Sequence, residues 1–161
     1  MGAPVTAFCR IADQPIRSRE PVTQPDAVVV QDPTLLHHVD LFTGLSRSGY
    51  VILNSSRSAG ELGLSDLADR IPTGRLITVA ATDLARTHTG RPLANAALLG
   101  AVAALTGVVS LASVVRAIRQ RFPGRVGEAN AAAAEATFDF ARDRNGVPAT
   151  EAGKGSRAQT D

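Results

Sequence analysis

Three short runs of aliphatic residues constrain this chain more than anything else in it: Ala27-Val28-Val29-Val30, Tyr50-Val51-Ile52-Leu53 and Leu76-Ile77-Thr78-Val79. Rich in β-branched side chains and lacking a regular polar alternation, they suit strands covered on both faces, the condition of a parallel sheet. Each run stops at a polar turn: Asp32-Pro33-Thr34, Asn54-Ser55-Ser56 and Ala81-Thr82-Asp83. Asp32 followed by Pro33 is a helix N-cap with proline at the first helical position. Leu35, Leu36, Val39 and Phe42 then fall on one helical face, and Gly44 closes that helix. Gly60–Asp69 reads as a connector with about one helical turn, and Thr82–His88 as a short helix. Strands alternating with helices imply βα units, a parallel sheet and right-handed crossovers.

The flanks read differently. Pro4–Ile11 has the composition of a strand and ends in a turn-like cluster, Ala12-Asp13-Gln14-Pro15, before Ile16 and Arg17, so the sequence predicts a hairpin. From Leu93 to Val115 there is no Asp, Glu, Lys or Arg, a length that could span a membrane. Asn95, Thr106, Ser110 and Ser113 make its transfer energy marginal, and it carries internal punctuation. Gly107 stands where a helix C-terminal glycine belongs, and Ser110 where the next N-cap does. Two short buried helices follow, one with Leu98, Leu99, Val102 and Leu105, the other with Leu111, Val114, Val115, Ile118 and Phe122. Gly100 and Ala104 allow the first to approach a neighbour closely, and Pro123-Gly124 stops the second. A third helix, alanine-rich around residues 129–134, runs to about Arg142. Residues 143–161 lose the apolar period and read as a disordered tail after a single domain over 1–142. The expected fold is α/β: an open, mainly parallel sheet flanked by helices, with an N-terminal hairpin and a helical C-terminal half.

Composition excludes several function classes. Net charge is only +2, and the arginines are scattered without aromatic interleaving, which argues against nucleic-acid binding. Cys9 is the one cysteine, so no intrachain disulfide, cysteine-ligated cluster or zinc site can form within the chain. His37 and His38 are adjacent and lack a surrounding carboxylate–histidine group, so they read as solvated or helix-end residues rather than metal ligands. No charged segment followed by an apolar run opens the chain, and the reading is a cytoplasmic protein, neither secreted nor membrane-bound. Phosphate-cradling glycine loops, a nucleophile elbow and a zinc-protease helix are all missing. What remains is the rule that open parallel sheets bind ligands beyond the carboxyl ends of their strands. Those ends here are rich in hydroxyl and amide groups, which can hydrogen-bond a ligand or simply satisfy turns and helix starts.

Read as an ordered series, the segments carry a resemblance. Gly2-Ala3-Pro4-Val5-Thr6-Ala7-Phe8-Cys9-Arg10-Ile11, then Pro15-Ile16-Arg17, then Pro25 to Leu36, including Val28-Val29-Val30-Gln31-Asp32-Pro33-Thr34, come first. Gly49-Tyr50-Val51-Ile52-Leu53-Asn54-Ser55, Asn95-Ala96-Ala97-Leu98-Leu99-Gly100-Ala101 and Glu128-Ala129-Asn130 follow. Together, over residues 2–142, they resemble the gamma component of pyruvate and related 2-oxoacid:ferredoxin oxidoreductases. The resemblance implies a subunit, not catalytic alone, of an enzyme that decarboxylates a 2-oxoacid on thiamine diphosphate. Such an enzyme passes electrons through iron–sulfur clusters to ferredoxin and releases an acyl-coenzyme A. Thiamine diphosphate and the clusters are expected on partner alpha, beta and ferredoxin-like subunits. The gamma component is expected to help assemble the complex and to bind coenzyme A as co-substrate. Carried over by motif, Asn95 and Asn130 are the expected polar contacts to coenzyme A, with Arg10 as an anion contact. Helix capping is the competing role for both asparagines. Members of that family carry a further βα unit with a glycine-rich turn before the segment matching Gly2-Ala3-Pro4. This chain is therefore expected to lack that unit and to expose a sheet edge. The alternative function is a non-catalytic α/β binding or assembly module, a truncated remnant of the family.

Overall fold

The computed structural model describes residues 4–145. The three aliphatic runs form a parallel sheet: β1 (Ala27–Val30), β2 (Tyr50–Asn54) and β3 (Leu76–Val79), in spatial order β1-β2-β3. Val29 pairs with Ile52, Ile52 with Ile77, and Asn54 with Val79. Since side chains alternate along a strand, the sheet has two distinct faces and both are covered over β2. On one face Val30, Val51 and Leu53 pack with Leu62, Leu67 and Ile71, against Leu36, Leu41, Phe42 and Leu45. These come from the β1–β2 connection and from α1 (Ser65–Arg70) with its flanks. On the other face Ile52, Ile77 and Val79 meet α2 (Ala81–Thr89), α3 (Asn95–Thr106) and α5 (Arg125–Asn145) through Ala81, Ala85, Ala97, Leu98, Ala101 and Ala133. Ile52 and Leu53 have no exposed surface, each worth about 1.5–3 kcal/mol of transfer free energy. At the edge the cover thins: Val29 is 43% exposed although its register partner Ile52 is fully buried.

The uncharged stretch becomes two helices, as its punctuation predicts. Gly107 closes α3 with φ 65°, its N–H bonding to the Ala103 carbonyl, and the Ser110 hydroxyl accepts from the Ser113 N–H to open α4 (Leu111–Arg121). Among the described residues no helix is long and apolar enough to cross a membrane. α3, α4 and α5 share a small-residue core of Ala96, Ala103, Val114, Val115, Ile118, Ala131 and Ala134. Arg119 on α4 binds Glu128 on α5 at 2.8 Å, across a surface-exposed pair.

Three expectations are corrected. The hairpin over Pro4–Arg17 is absent: residues 4–26 contain no strand. Val5 and Ile11 are 86% and 65% exposed. Strand-like composition is not enough, because a lone two-stranded hairpin with no surface to pack on is marginal in water. The helix after Asp32 is only a 3-10 segment, Pro33–His37, and Val39 is exposed. There Asp40 draws the chain into a turn by accepting from the Phe42 N–H and the Thr43 hydroxyl. Finally, α5 continues past Arg142 through Asn145. Arg142 and Arg144 lie over the rings of Phe138 and Phe140, and basic side chains suit a helix C-terminus. The remainder of the expected tail, 146–161, lies outside the described residues.

The turns also set an acid sensitivity. The Thr34 hydroxyl and N–H donate to Asp32 at 2.7 and 2.9 Å and hold its carboxyl below the ordinary range. The Ser58 hydroxyl and N–H do the same for Glu61, with Arg57 adding a smaller attraction. A carboxyl whose folded pKa is depressed contributes stability that is complete above the unfolded range, near pH 4, and lost as pH falls through the folded value. Urea midpoints should therefore fall below about pH 4, and by a smaller amount in Asp32→Asn than in the unaltered chain.

A candidate ligand site at the carboxyl ends of the strands

The three strands end side by side at one edge of the sheet, and Asn54 ties those ends together. It is the last residue of β2 and only 9% exposed, so its carboxamide has to find partners within the protein. Its Nδ2 donates to the Gln31 carbonyl beyond β1 and to the Thr82 hydroxyl on α2, both at 2.8 Å. Its Oδ1 accepts from the Thr82 N–H at 3.1 Å. One side chain on β2 thus bonds to two other segments, the end of β1 and the start of α2, and Thr82 is held at the first turn of α2 in a fixed orientation.

Above this tie lies a cavity of about 470 Å³ lined by Gln31, Asp32, Pro33, Asn54, Ser55, Ser56, Arg57, Ala80, Thr82 and Asp83. Its place is the one that the sheet rule assigns to ligands. The Ser55 Oγ accepts from the Arg57 N–H at 3.0 Å, which fixes the turn carrying Arg57. Asp32 is engaged by Thr34, and Asp83 by Arg86 at 2.9 Å. The cavity is polar and shallow, suited to hydrogen bonding rather than to enclosing an apolar group.

The residues singled out from sequence stand elsewhere. Asn95 is the exposed first residue of α3, where the N-cap is Ala94 and no side chain caps the helix. Asn130 is half-buried in the second turn of α5, and its Nδ2 donates to the Val126 carbonyl at 2.8 Å. Neither asparagine acts as a cap, so the competing role does not account for them. Arg10 donates to the Pro21 carbonyl at 3.3 Å and lines a separate depression with Phe8, Ile16 and Ser18. The structure does not bring Asn95 or Asn130 to Arg10, nor any of the three into the strand-end cavity. Sequence reading identified the strand-end turns but missed Arg57 as a cavity residue, because nothing local distinguishes it from the other scattered arginines.

Comparison with known proteins gives a consistent result. Residues 1–140 match the family described as pyruvate ferredoxin/flavodoxin oxidoreductase. The chain is 49% identical over 138 residues to the "Pyruvate/ketoisovalerate oxidoreductases common subunit gamma" of Thermococcus kodakarensis, covering 86% of this chain and 73% of that protein. It is 43% identical over 138 residues to the pyruvate synthase subunit PorC of Methanothermobacter thermautotrophicus, covering 86% and 71%. Among solved structures, the pyruvate oxidoreductase subunit PORC of Thermotoga maritima superposes with a TM-score of 0.62 at 30% identity. That match covers 73% of this chain and 64% of the Thermotoga chain.

Proposed function

The chain belongs to the pyruvate ferredoxin/flavodoxin oxidoreductase family, and on that premise we propose that it is the gamma subunit of a 2-oxoacid:ferredoxin oxidoreductase. The observation that carries this reading is the match over nearly all the described chain to proteins named as common gamma subunits and PorC subunits. The complex decarboxylates pyruvate or a related 2-oxoacid oxidatively to an acyl-coenzyme A in the cytoplasm. This chain contributes to assembly with alpha, beta and ferredoxin-like subunits and to binding coenzyme A. Its own residues do not fit an iron–sulfur cluster. It has a single cysteine, and among the described residues no group of three or more His, Cys, Asp or Glu could hold a metal. In this reading the iron–sulfur centres and thiamine diphosphate are carried by the partner subunits, and no electron-transfer step is assigned to this chain.

For coenzyme A the chain supplies binding groups. The exposed carboxamide of Asn95 can both donate to and accept from a pantetheine amide, and Asn130 retains an acceptor oxygen beside its bond to Val126. Arg10 offers a guanidinium to an anionic group. These are orienting contacts. The reaction itself runs on the cofactors of the neighbouring subunits.

Co-purification of the tagged chain from its host, followed by dye reduction dependent on a 2-oxoacid and coenzyme A, tests the reading. Recovery of thiamine- and cluster-bearing subunits with activity is the expected outcome. A chain recovered alone, or a complex inactive with every 2-oxoacid offered, would leave the non-catalytic assembly module as the function.

A further inference from the structure

We infer that the face formed by α4 and α5 is a self-association surface, on which a second copy of this chain docks about a two-fold axis. Each Arg116 then meets Glu135 of the second copy, and each Glu135 meets its Arg116. The inference stands apart from the function proposed above and uses none of the residues named for it.

Between the two helices lies an open depression of about 640 Å³. Its floor is apolar, made of Leu111, Ala112 and Val115 from the first half of α4. Arg116 and Gln120 border it from α4, and Glu135 borders it from α5. Arg119 also lines the depression, but it is already committed. Its Nε donates to both carboxylate oxygens of Glu128, at 3.0 and 3.2 Å, and its Nη2 donates to one of them at 2.8 Å. Glu135 adds a lesser attraction to Arg119 without forming an ion pair with it. Among the described residues neither Arg116 nor Glu135 has an ion-pair partner, and both are exposed.

One free cation on α4 and one free anion on α5, beside an apolar floor, make a self-complementary pattern. In a two-fold contact residue i meets residue j of the other copy while j meets i, so a single pairing is made twice. An axis running along the floor carries the α4 side of one copy over the α5 side of the other. That operation matches Arg116 with Glu135 twice and sets the two floors face to face. A foreign segment of one charge fits less well: an acidic segment suits Arg116 but opposes Glu135, and a basic segment does the reverse. Exposed ion pairs are individually weak, so the apolar floor supplies the attraction and the charges fix the orientation. A net charge of only +2 gives little repulsion between copies.

Sedimentation velocity of the full chain over a range of concentrations tests the surface. A reversible monomer–dimer equilibrium is the expected result. Arg116→Glu and Glu135→Arg should each weaken dimerisation about tenfold or more, since by symmetry each reversal spoils two pairings. Combining the two substitutions exchanges the charges and should restore association to near that of the unaltered chain. A folding defect does not produce such a rescue, and circular dichroism checks that each variant is folded. A chain that stays monomeric, a dimer indifferent to both reversals, or an exchange that fails to rescue overturns the proposal. Indifference to both reversals is what association through the exposed edge of β1 would give.

Discussion

Gly100→Ala should cost this chain about 3 kcal/mol or more and lower its melting temperature by roughly 10 °C. α3 and α5 touch backbone to backbone at this position. A Cβ on Gly100 would sit 1.9 Å from the Ala134 carbonyl oxygen, with the Phe138 nitrogen at 3.0 Å. No flexible side chain is there to yield, so the helices must part. Parting them opens the small-residue core of Ala96, Ala103, Ala131 and Ala134, in an interior that tolerates few voids. The gain of about 1 kcal/mol in helix propensity from glycine to alanine is too small to offset it. Gly107→Ala provides the contrast. It adds the same methyl where nothing lies within 4 Å, at φ 65°, and should cost only about 1–2 kcal/mol of left-handed strain. Equal losses from the two substitutions in urea unfolding would show that α3 and α5 are not in close contact.

Asn54→Ala should cost about 1–3 kcal/mol, as expected when part-buried partners lose their hydrogen bonds. The Gln31 carbonyl, the Thr82 hydroxyl and the Thr82 N–H all lose a partner at once. Asn54→Asp is the more informative change. It keeps the shape and the acceptor for the Thr82 N–H but turns the donor end into an oxygen facing the Gln31 carbonyl. It also places a charge at a site only 9% exposed, and burial without a partner disfavours the ionised form. Both variants should loosen the strand-end cavity along with the fold. A full-strength fold in Asn54→Ala, measured by thermal unfolding, would mean that the strand ends hold their positions without this tie.

Much of the fold was legible because its signals are local. The aliphatic runs announced buried parallel strands, and β1, β2 and β3 formed at those runs. Gly107 and Ser110 marked a helix end and a helix start by backbone conformation and side-chain capping, and both act as such. Gly100 signalled a close helix approach, since a missing Cβ has few other uses in a helix interior. The functional family was legible from ordered motifs rather than from any single residue. At the site, the polar turns closing the strands pointed to the edge of the sheet where the cavity lies.

Two expectations failed, for different physical reasons. Pro4–Ile11 has strand composition, but a strand requires a partner strand, and the described residues 4–26 form none. The face Leu35, Leu36, Val39 and Phe42 promised a full helix, yet Asp40 captured its own following residues and ended it as a 3-10 segment. Where Asn95, Asn130 and Arg10 stand relative to the strand-end cavity is, by contrast, a matter that coordinates alone reveal. The amino-acid sequence by itself determined where strands and helices form, which faces they bury and which family the chain belongs to. These depend on periodicity, caps and motif order, all within reach of a few residues. The tertiary structure alone decided that Asn54 bridges Gln31 and Thr82, 23 and 28 positions away. It also decided that Arg57 lines the same cavity as that bridge, because distant segments share a site only once the sheet has brought the strand ends together.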